Sequence, residues 1–371
     1  MIERNLSDNL IKKFHKGKAL ILVGPRQVGK TTLIKKLLQN RKYLFLNGDD
    51  PRTVEFISKA DTSTLRKIIG TNTLVFIDEA QRIPDIGVKL KLITDQIKKV
   101  QLIVSSSSAL DLNAKTQEPL TGRKFEYQLY PISWSEYENY VGYLEADQQL
   151  EHRLVYGMYP DVITSKTDER EVLDQLTTSY LYKDVLGLAG IRKPELLDRL
   201  LKALALQLGS EVSYTELSGL LGVDKSTVMR YIELLEKTFI VFQLNSFSRN
   251  QRNEIKNNRK IYFYDNGIRN SIIRNLNPLE LRTDKGALWE NFLISERIKR
   301  NAYGLHFQHH YFWRTVQKQE IDYVEDSGGK ISAFEFKWKS GGRKRIPRSF
   351  IEKYEASATV VMRENFREFI E

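Results

Sequence analysis

The chain has 371 residues, 41% of them hydrophobic and 28% charged, with no cysteine and a net charge of +11. This is the balance of a soluble globular protein of about two to four domains; the missing cysteine excludes structural disulfides, cysteine-ligated zinc and cysteine nucleophiles. No apolar stretch is long enough to span a membrane and Met-Ile-Glu-Arg-Asn-Leu is no apolar signal region, so the expectation is a cytoplasmic protein without a membrane partner.

In chain order, Ala-Leu-Ile-Leu-Val reads as a buried strand and runs into Gly24-Pro-Arg-Gln-Val-Gly-Lys-Thr31. This is the pattern G-x-x-x-x-G-K-[ST], which calls for ATP with Mg²⁺. Gly24 and Gly29 let backbone N–H groups of the loop through Pro25, Arg26, Gln27 and Val28 close around the β-phosphate. Lys30 reaches the β- and γ-phosphates, Thr31 is a Mg²⁺ ligand, and Thr32 continues into the helix that must follow. Leu33, Ile34, Leu37 and Leu38 supply one face of that helix.

Leu74 to Ile77 reads as a second buried strand, ending in Asp78 and Glu79. Adjacent carboxylates at a strand end need a cation or a polarised water to answer them: Asp78 would hold Mg²⁺ and Glu79 would orient the attacking water. Further strands at Tyr43 to Leu46, Gln101 to Val104 and through Phe125, Tyr127 and Leu129 predict an α/β domain with a mostly parallel sheet. The fourth strand ends in Ser105 to Ser108, where a hydroxyl would sense the γ-phosphate, and Arg123 precedes the fifth. An arginine there would serve a neighbouring subunit's nucleotide and imply a homo-oligomer.

These segments resemble a prokaryotic family of AAA-class ATPases, often labelled "archaeal-type ATPase" or "ATP-binding protein", whose C-terminal half is a domain of unknown function. The resemblance rests on Gly24 to Thr32, Phe76 to Pro84, the serine tract, Leu120-Thr-Gly-Arg123, Tyr130 to Ser133, Gly157-Met-Tyr-Pro160, Tyr262 to Gly267 and charged residues near the C-terminus. It implies an AAA-type sheet, Ser106 or Ser107 as sensor, Arg123 in the arginine-finger position and Gly157 to Pro160 in a lid near the nucleotide. Ser105 stands where the family usually has glycine.

Residues 145–205 read as the helical lid, with Leu173, Leu176, Tyr180 and Leu181 at helical spacing and Pro194 in the first turn of a later helix. From Tyr214, a short helix, a turn at Gly222 and a second helix opened by Asp224 give a helix-turn-helix pattern. Val228, Ile232 and Leu235 line its buried face, leaving Lys225, Thr227 and Arg230 for a DNA groove. Phe239 to Phe242 and Lys260 to Tyr264 would form a wing around a basic loop that carries Arg249, Arg252, Lys256, Arg259 and Lys260 against Glu254. A second basic run holds Lys337, Lys339, Arg343, Lys344, Arg345 and Arg348 without an acid; such clusters favour a polyanion such as DNA.

Beyond residue 285 the order becomes helix, three strands, helix, strand, which resembles the restriction-endonuclease-like PD-(D/E)XK fold. Period two puts Glu335 and Lys337 on one face of the third strand and Phe334, Phe336 and Trp338 on the other. Asp322 would meet Glu335 around Mg²⁺, with Lys337 positioning water, and Glu290 fits that family's helical acid.

The expected architecture is therefore α/β: an AAA-type P-loop ATPase core over residues 1–144 and a helical lid over 145–205. A winged helix-turn-helix over 206–285 and a nuclease-like α/β domain over 286–371 follow. The expected function is a Mg²⁺-dependent ATPase that engages, remodels or processes DNA. Two rivals are a nucleotide-state switch recognising a protein or phage component, and a DNA-binding ATPase whose nuclease-like domain does not cleave.

Overall fold

In the computed structural model, which describes residues 1–108, 120–165, 168–181, 194–248, 259–339 and 346–371, the run Ala19–Val23 (β1) is buried at every position. Leu74–Asp78 (β3) and Gln101–Ser106 (β4) are buried throughout as well. Leu44–Asn47 (β2) and Lys124–Gln128 (β5) are partly exposed, because the sheet runs β2-β3-β4-β1-β5 and leaves them at its edges. Every pairing is parallel, which explains the unbroken apolar runs of the inner strands. The register aligns Val23 with Ser106 and Asn47 with Asp78. The phosphate-loop sequence, the acidic pair and the serine tract therefore leave the sheet at its carboxyl edge, where open α/β sheets bind ligands.

These strands belong to one of two compact units, built mainly on Met1–Pro131. Its first helix, Ser7–Ile11 (α1), precedes β1, and Lys30–Leu38 (α2) follows the loop. Pro51–Lys59 (α3) and Thr62–Ile69 (α4) start at Asp50 and Asp61, whose carboxylates accept the first-turn N–H groups. Ile86–Gln96 (α5) lies between β3 and β4.

The other unit, mainly the residues from Ile132 onward, opens with Trp134–Val141 (α6). Ser133 and Glu136 cap it reciprocally, and its Trp134 N–H donates to buried Glu296 at 2.6 Å. Tyr143–Tyr156 (α7), Pro160–Thr164 (α8), Glu169–Gln175 (α9) and Pro194–Leu206 (α10) follow; the side chains of Tyr180 and Leu181 lie outside the described residues. Next come Glu211–Val212 (β6), Tyr214–Leu221 (α11), Lys225–Lys237 (α12), Val241–Ser246 (β7), Arg259–Phe263 (β8) and Asn266–Ile272 (α13). The helix-turn-helix pattern is present as spaced: Gly222 closes α11 at φ 68° and Val228, Ile232 and Leu235 are buried.

Lys285–Tyr303 (α14), His309–Arg314 (β9), Glu320–Ser327 (β10), Lys330–Phe336 (β11), Arg348–Tyr354 (α15), Ser357–Val361 (β12) and Phe366–Ile370 (α16) complete the chain. β9, β10 and β11 pair antiparallel and β12 lies parallel to β11. One seven-stranded sheet, β12-β11-β10-β9-β7-β8-β6, joins them to the hairpin. The hairpin expected as a wing pairs β7 with β8 antiparallel and is continuous with the sheet, its β7 paired parallel to β9 through Asn245 and Ser246. A strand pattern gives no sign of which outer edge finds a partner. Aromatic contacts among Trp134, Trp289, Phe292 and Phe366 pack α6, α14 and α16 together. Arg297 fixes α14 to β10 by donating to both oxygens of Glu325 at 2.8 and 2.7 Å.

Candidate nucleotide site and a buried ionic cluster

The loop between β1 and α2 has the form its residues dictate. A side-chain carbon at Gly24 would lie 2.1 Å from the Leu129 carbonyl oxygen, so any larger residue would push the loop off the adjoining chain. Gly29 opens α2 in the left-handed region, φ 91°. Lys30 is buried, and its ammonium donates to the carbonyls of Gly24 at 2.9 Å and Pro25 at 2.7 Å, across the loop that would receive phosphates. Lys30→Ala is expected to bring ATP binding below what calorimetry detects at micromolar nucleotide; retained micromolar affinity would contradict the assigned loop.

Asp78 is buried at the end of β3. The Thr31 hydroxyl, 3.0 and 2.8 Å from its two oxygens, donates to it, and the Ser105 hydroxyl donates as well. This set of hard oxygen donors suits Mg²⁺. Glu79 follows at φ 49°, rare for a residue with a side chain. Gln81 Nε2 donates to Glu79 Oε2 at 2.6 Å and to the Ser107 hydroxyl at 2.9 Å.

Of the two serines assigned to sensing, Ser106 bonds the Ser108 carbonyl at 2.8 Å and Ser107 reaches Glu79 only through Gln81. The hydroxyl at Asp78 is that of Ser105, the residue after Val104, which the β3–β4 register pairs with Ile77, the residue before Asp78. Arg123, on the way into β5, donates from Nε to Asp95 at 2.6 Å.

On α12, Lys225 and Arg230 are exposed. Thr227 is not: its N–H and hydroxyl bond the Asp224 carboxylate at 2.8 and 2.7 Å, so it completes the helix cap. The hydrogen bond from the Ser226 hydroxyl, then those from Thr227, hold the Asp224 carboxyl well below its ordinary range. Arg252 lies outside the described residues. Gly157 to Pro160 form a knot with the later motif, where Asp265 accepts from Met158 N–H at 2.6 Å and from Ile268 N–H at 3.0 Å. A side-chain carbon on Gly157 would sit 2.1 Å from that carboxylate.

In the second unit, α14 brings Glu290 and β10 brings Glu320 and Asp322 toward Lys260 and Tyr262 of β8, and β11 brings Glu335 toward Asp322. Lys260 Nζ lies 2.7 Å from Glu320 and 3.2 Å from Glu290. The Tyr262 hydroxyl donates to Glu290 Oε1 at 2.5 Å. Burial disfavours the Lys260 charge, but Glu290 and Glu320 outweigh it and hold its pKa above the ordinary value. Burial, then the charges of Glu290 and Glu335, push the Asp322 carboxyl up to about 8, although it accepts the Phe336 N–H at 2.9 Å. Lys337 lies just beyond β11, half-exposed.

Among the described residues no group of three or more histidine, aspartate or glutamate side chains is placed to hold a metal ion. The Mg²⁺ expected between Asp322 and Glu335 would rest on two carboxylates and water rather than on such a group, and the Lys260 ammonium is ion-paired beside them to Glu290 and Glu320. The sequence places Lys260 both at the end of a basic loop and at the head of a wing strand; the signal for its buried role is alternation, since Lys260 and Tyr262 share one face of β8.

The Asp322 shift has a pH consequence. Between its ordinary 3.8 and about 8 the carboxyl is protonated in the folded chain and ionised in the unfolded one. Unfolding there releases a proton, so its contribution to stability is lost as pH rises toward about 8. Asp322→Asn is expected to flatten the fall in unfolding temperature across that window; an unchanged slope would show that another group titrates.

Residues 16–138 match the family model described as "AAA domain", residues 147–279 "Domain of unknown function (DUF8612)" and residues 285–370 "Domain of unknown function (DUF4143)". An uncharacterized protein of Mycobacterium tuberculosis is 28% identical over 340 residues, covering 90% of this chain and 73% of its own. An uncharacterized protein of Methanocaldococcus jannaschii is 22% identical, covering 79% and 71%. The Walker-type ATPase of Pyrococcus abyssi superposes with a TM-score of 0.51 at 14% identity, covering 73% of this chain and 96% of its own. No helix among the described residues is long and apolar enough to cross a membrane. The first unit's parallel sheet, its phosphate-type loop and the family match agree, and the chain carries an AAA-class ATPase-like domain with the P-loop α/β fold, joined to two segments whose families have no assigned function.

Proposed function

We propose that this chain binds and hydrolyses ATP and couples its nucleotide state to DNA. The observation that carries the first half is the meeting of Thr31 and Asp78, with Lys30 buried in the same loop. The loop from Gly24 to Thr32 would wrap the phosphates, and Thr31 and Asp78 would hold Mg²⁺. Bound there, the cation would neutralise charge on the β- and γ-phosphates. Lys30 would exchange its two carbonyl partners for phosphate oxygens, and Glu79, released from Gln81, would align water and accept its proton.

Support for DNA is electrostatic: the net charge of +11 and the exposed Lys225 and Arg230 on α12. The test is the ATP hydrolysis rate with Mg²⁺, alone and with single-stranded, duplex and branched DNA, using Lys30→Ala as the blank. Stimulation by one form supports the coupling and names the substrate. A rate indifferent to every DNA selects the nucleotide-state switch. Arg123 gives the reading its oligomeric part: acting in trans, it would leave Asp95 for a neighbour's nucleotide. Mixing Arg123→Ala with Glu79→Gln protein is then expected to restore part of the ATPase activity, and no complementation would argue for a monomeric enzyme.

For the C-terminal segment a specific observation favours the non-cleaving reading. Lys260 supplies from within the chain the positive charge that a nuclease would take from a metal, so we infer a nuclease-like domain that binds without cutting. Asp322→Ala and Glu335→Ala are expected to leave every DNA assay as in the wild type; Mg²⁺-dependent cleavage lost in either variant would overturn this.

A further inference from the structure

We propose that Arg4 is a positioning residue of the nucleotide site, setting the orientation of the phosphate loop from outside it; the inference rests on the ATP reading above. Arg4 is a charged side chain only 8% exposed. Its guanidinium donates from Nη1 to the Val28 carbonyl and from Nη2 to the Tyr130 carbonyl, both at 2.6 Å. One fork thus joins the loop to the chain leaving β5, the same stretch whose Leu129 carbonyl backs Gly24 and whose Leu129 N–H bonds Val23.

The geometry of a peptide unit gives this bridge its consequence. The Val28 carbonyl and the Gly29 N–H belong to one planar trans group and point in opposite directions. By drawing the carbonyl to itself, Arg4 holds the Gly29 N–H turned away from it, toward the inside of the loop where a phosphate oxygen would be met. Gly29, with its left-handed backbone, has little intrinsic preference to hold that orientation. Arg4 is held in turn: Ile2, Leu6 and Leu10 of the same segment are buried, and the Ser7 N–H and hydroxyl donate to the Arg4 carbonyl at 3.0 and 2.7 Å. A planar fork with fixed donors spans two carbonyls, whereas an ammonium is a single point that cannot reproduce both directions.

The test is ATP affinity by calorimetry and KM against kcat for Arg4→Ala, Arg4→Lys and Leu10→Ala, with wild type and Lys30→Ala as references. Arg4→Ala is expected to raise Kd and KM by about tenfold or more while kcat at saturating ATP stays within about threefold, the pattern of lost ground-state positioning. Arg4→Lys, which keeps charge and stem, is expected to recover less than half of that loss on a logarithmic scale, and it carries the test should Arg4→Ala fold poorly. Leu10→Ala loosens the same segment with the fork intact and is expected to lower the unfolding temperature without the change in KM. Equal KM effects from Leu10→Ala and Arg4→Ala would overturn the proposal, since docking of the segment alone would then explain both. So would an unchanged KM in folded Arg4→Lys. If the wild type itself binds no ATP while folded, the nucleotide reading falls first and this one with it.

Discussion

Glu79→Gln is expected to lower kcat for ATP hydrolysis by about a hundredfold or more while leaving ATP affinity within about threefold of the wild type. In the proposed site Lys30, Thr31 and Asp78 would hold phosphate and cation, whereas the Glu79 carboxylate is bonded to Gln81. Glu79 contacts Gln81, which ties it to Ser107 at the end of β4. The left-handed backbone at φ 49° turns its side chain out of the alternation of β3, a strained conformation of the kind kept where function needs it. Single-turnover hydrolysis beside equilibrium binding makes the check. If affinity falls with kcat, Glu79 acts in holding the nucleotide; if kcat is unchanged, another group activates water, and Asp78 becomes the first to test. Gln81→Ala supplies the complementary result: freeing Glu79 from its partner should lower kcat without abolishing turnover.

The first unit was readable because its chemistry is local. Loop, strand and acidic pair each occupy a few consecutive residues, and buried parallel strands announce themselves as apolar runs between turns. Which serine would face the phosphate was not readable, since consecutive serines differ only in the register of β4 against β3, and that register brings Ser105 to Asp78. Arg4 was missed for another reason: its partners are backbone carbonyls 24 and 126 residues away, and carbonyls carry no sequence signature. In the second unit the helix-turn-helix pattern and the later order of helix, three strands, helix and strand were legible from periodicity. The continuity of the sheet from β6 to β12 was not, because β7 and β9 pair across a separation that no local pattern encodes.

The same non-local pairing produces the second large expectation. Lys260→Met should destabilise the second unit by about 3–5 kcal/mol, the cost of stranding buried carboxylates after their cation is removed, and lower its unfolding temperature by about 10 °C. The Lys260 side chain is 2% exposed and its partners Glu290 and Glu320 only 15% and 26%, so water screens the pairs weakly. Methionine keeps most of the volume and the packing beside Phe312, whose ring lies 5.5 Å from the ammonium, which confines the change to charge. Adding Glu290→Gln to Lys260→Met should return part of the loss, because the remaining amide still accepts from the Tyr262 hydroxyl without carrying charge. Thermal unfolding with and without millimolar Mg²⁺, on a Lys30→Ala background that lacks the nucleotide site, separates the two accounts of the carboxylates. If Lys260 is their cation, Mg²⁺ leaves the wild-type cluster's unfolding temperature unchanged and only the Lys260 substitution moves it. If the carboxylates serve a metal, Mg²⁺ raises the unfolding temperature while Lys260 is present, Glu335→Ala abolishes the rise, and the non-cleaving reading fails.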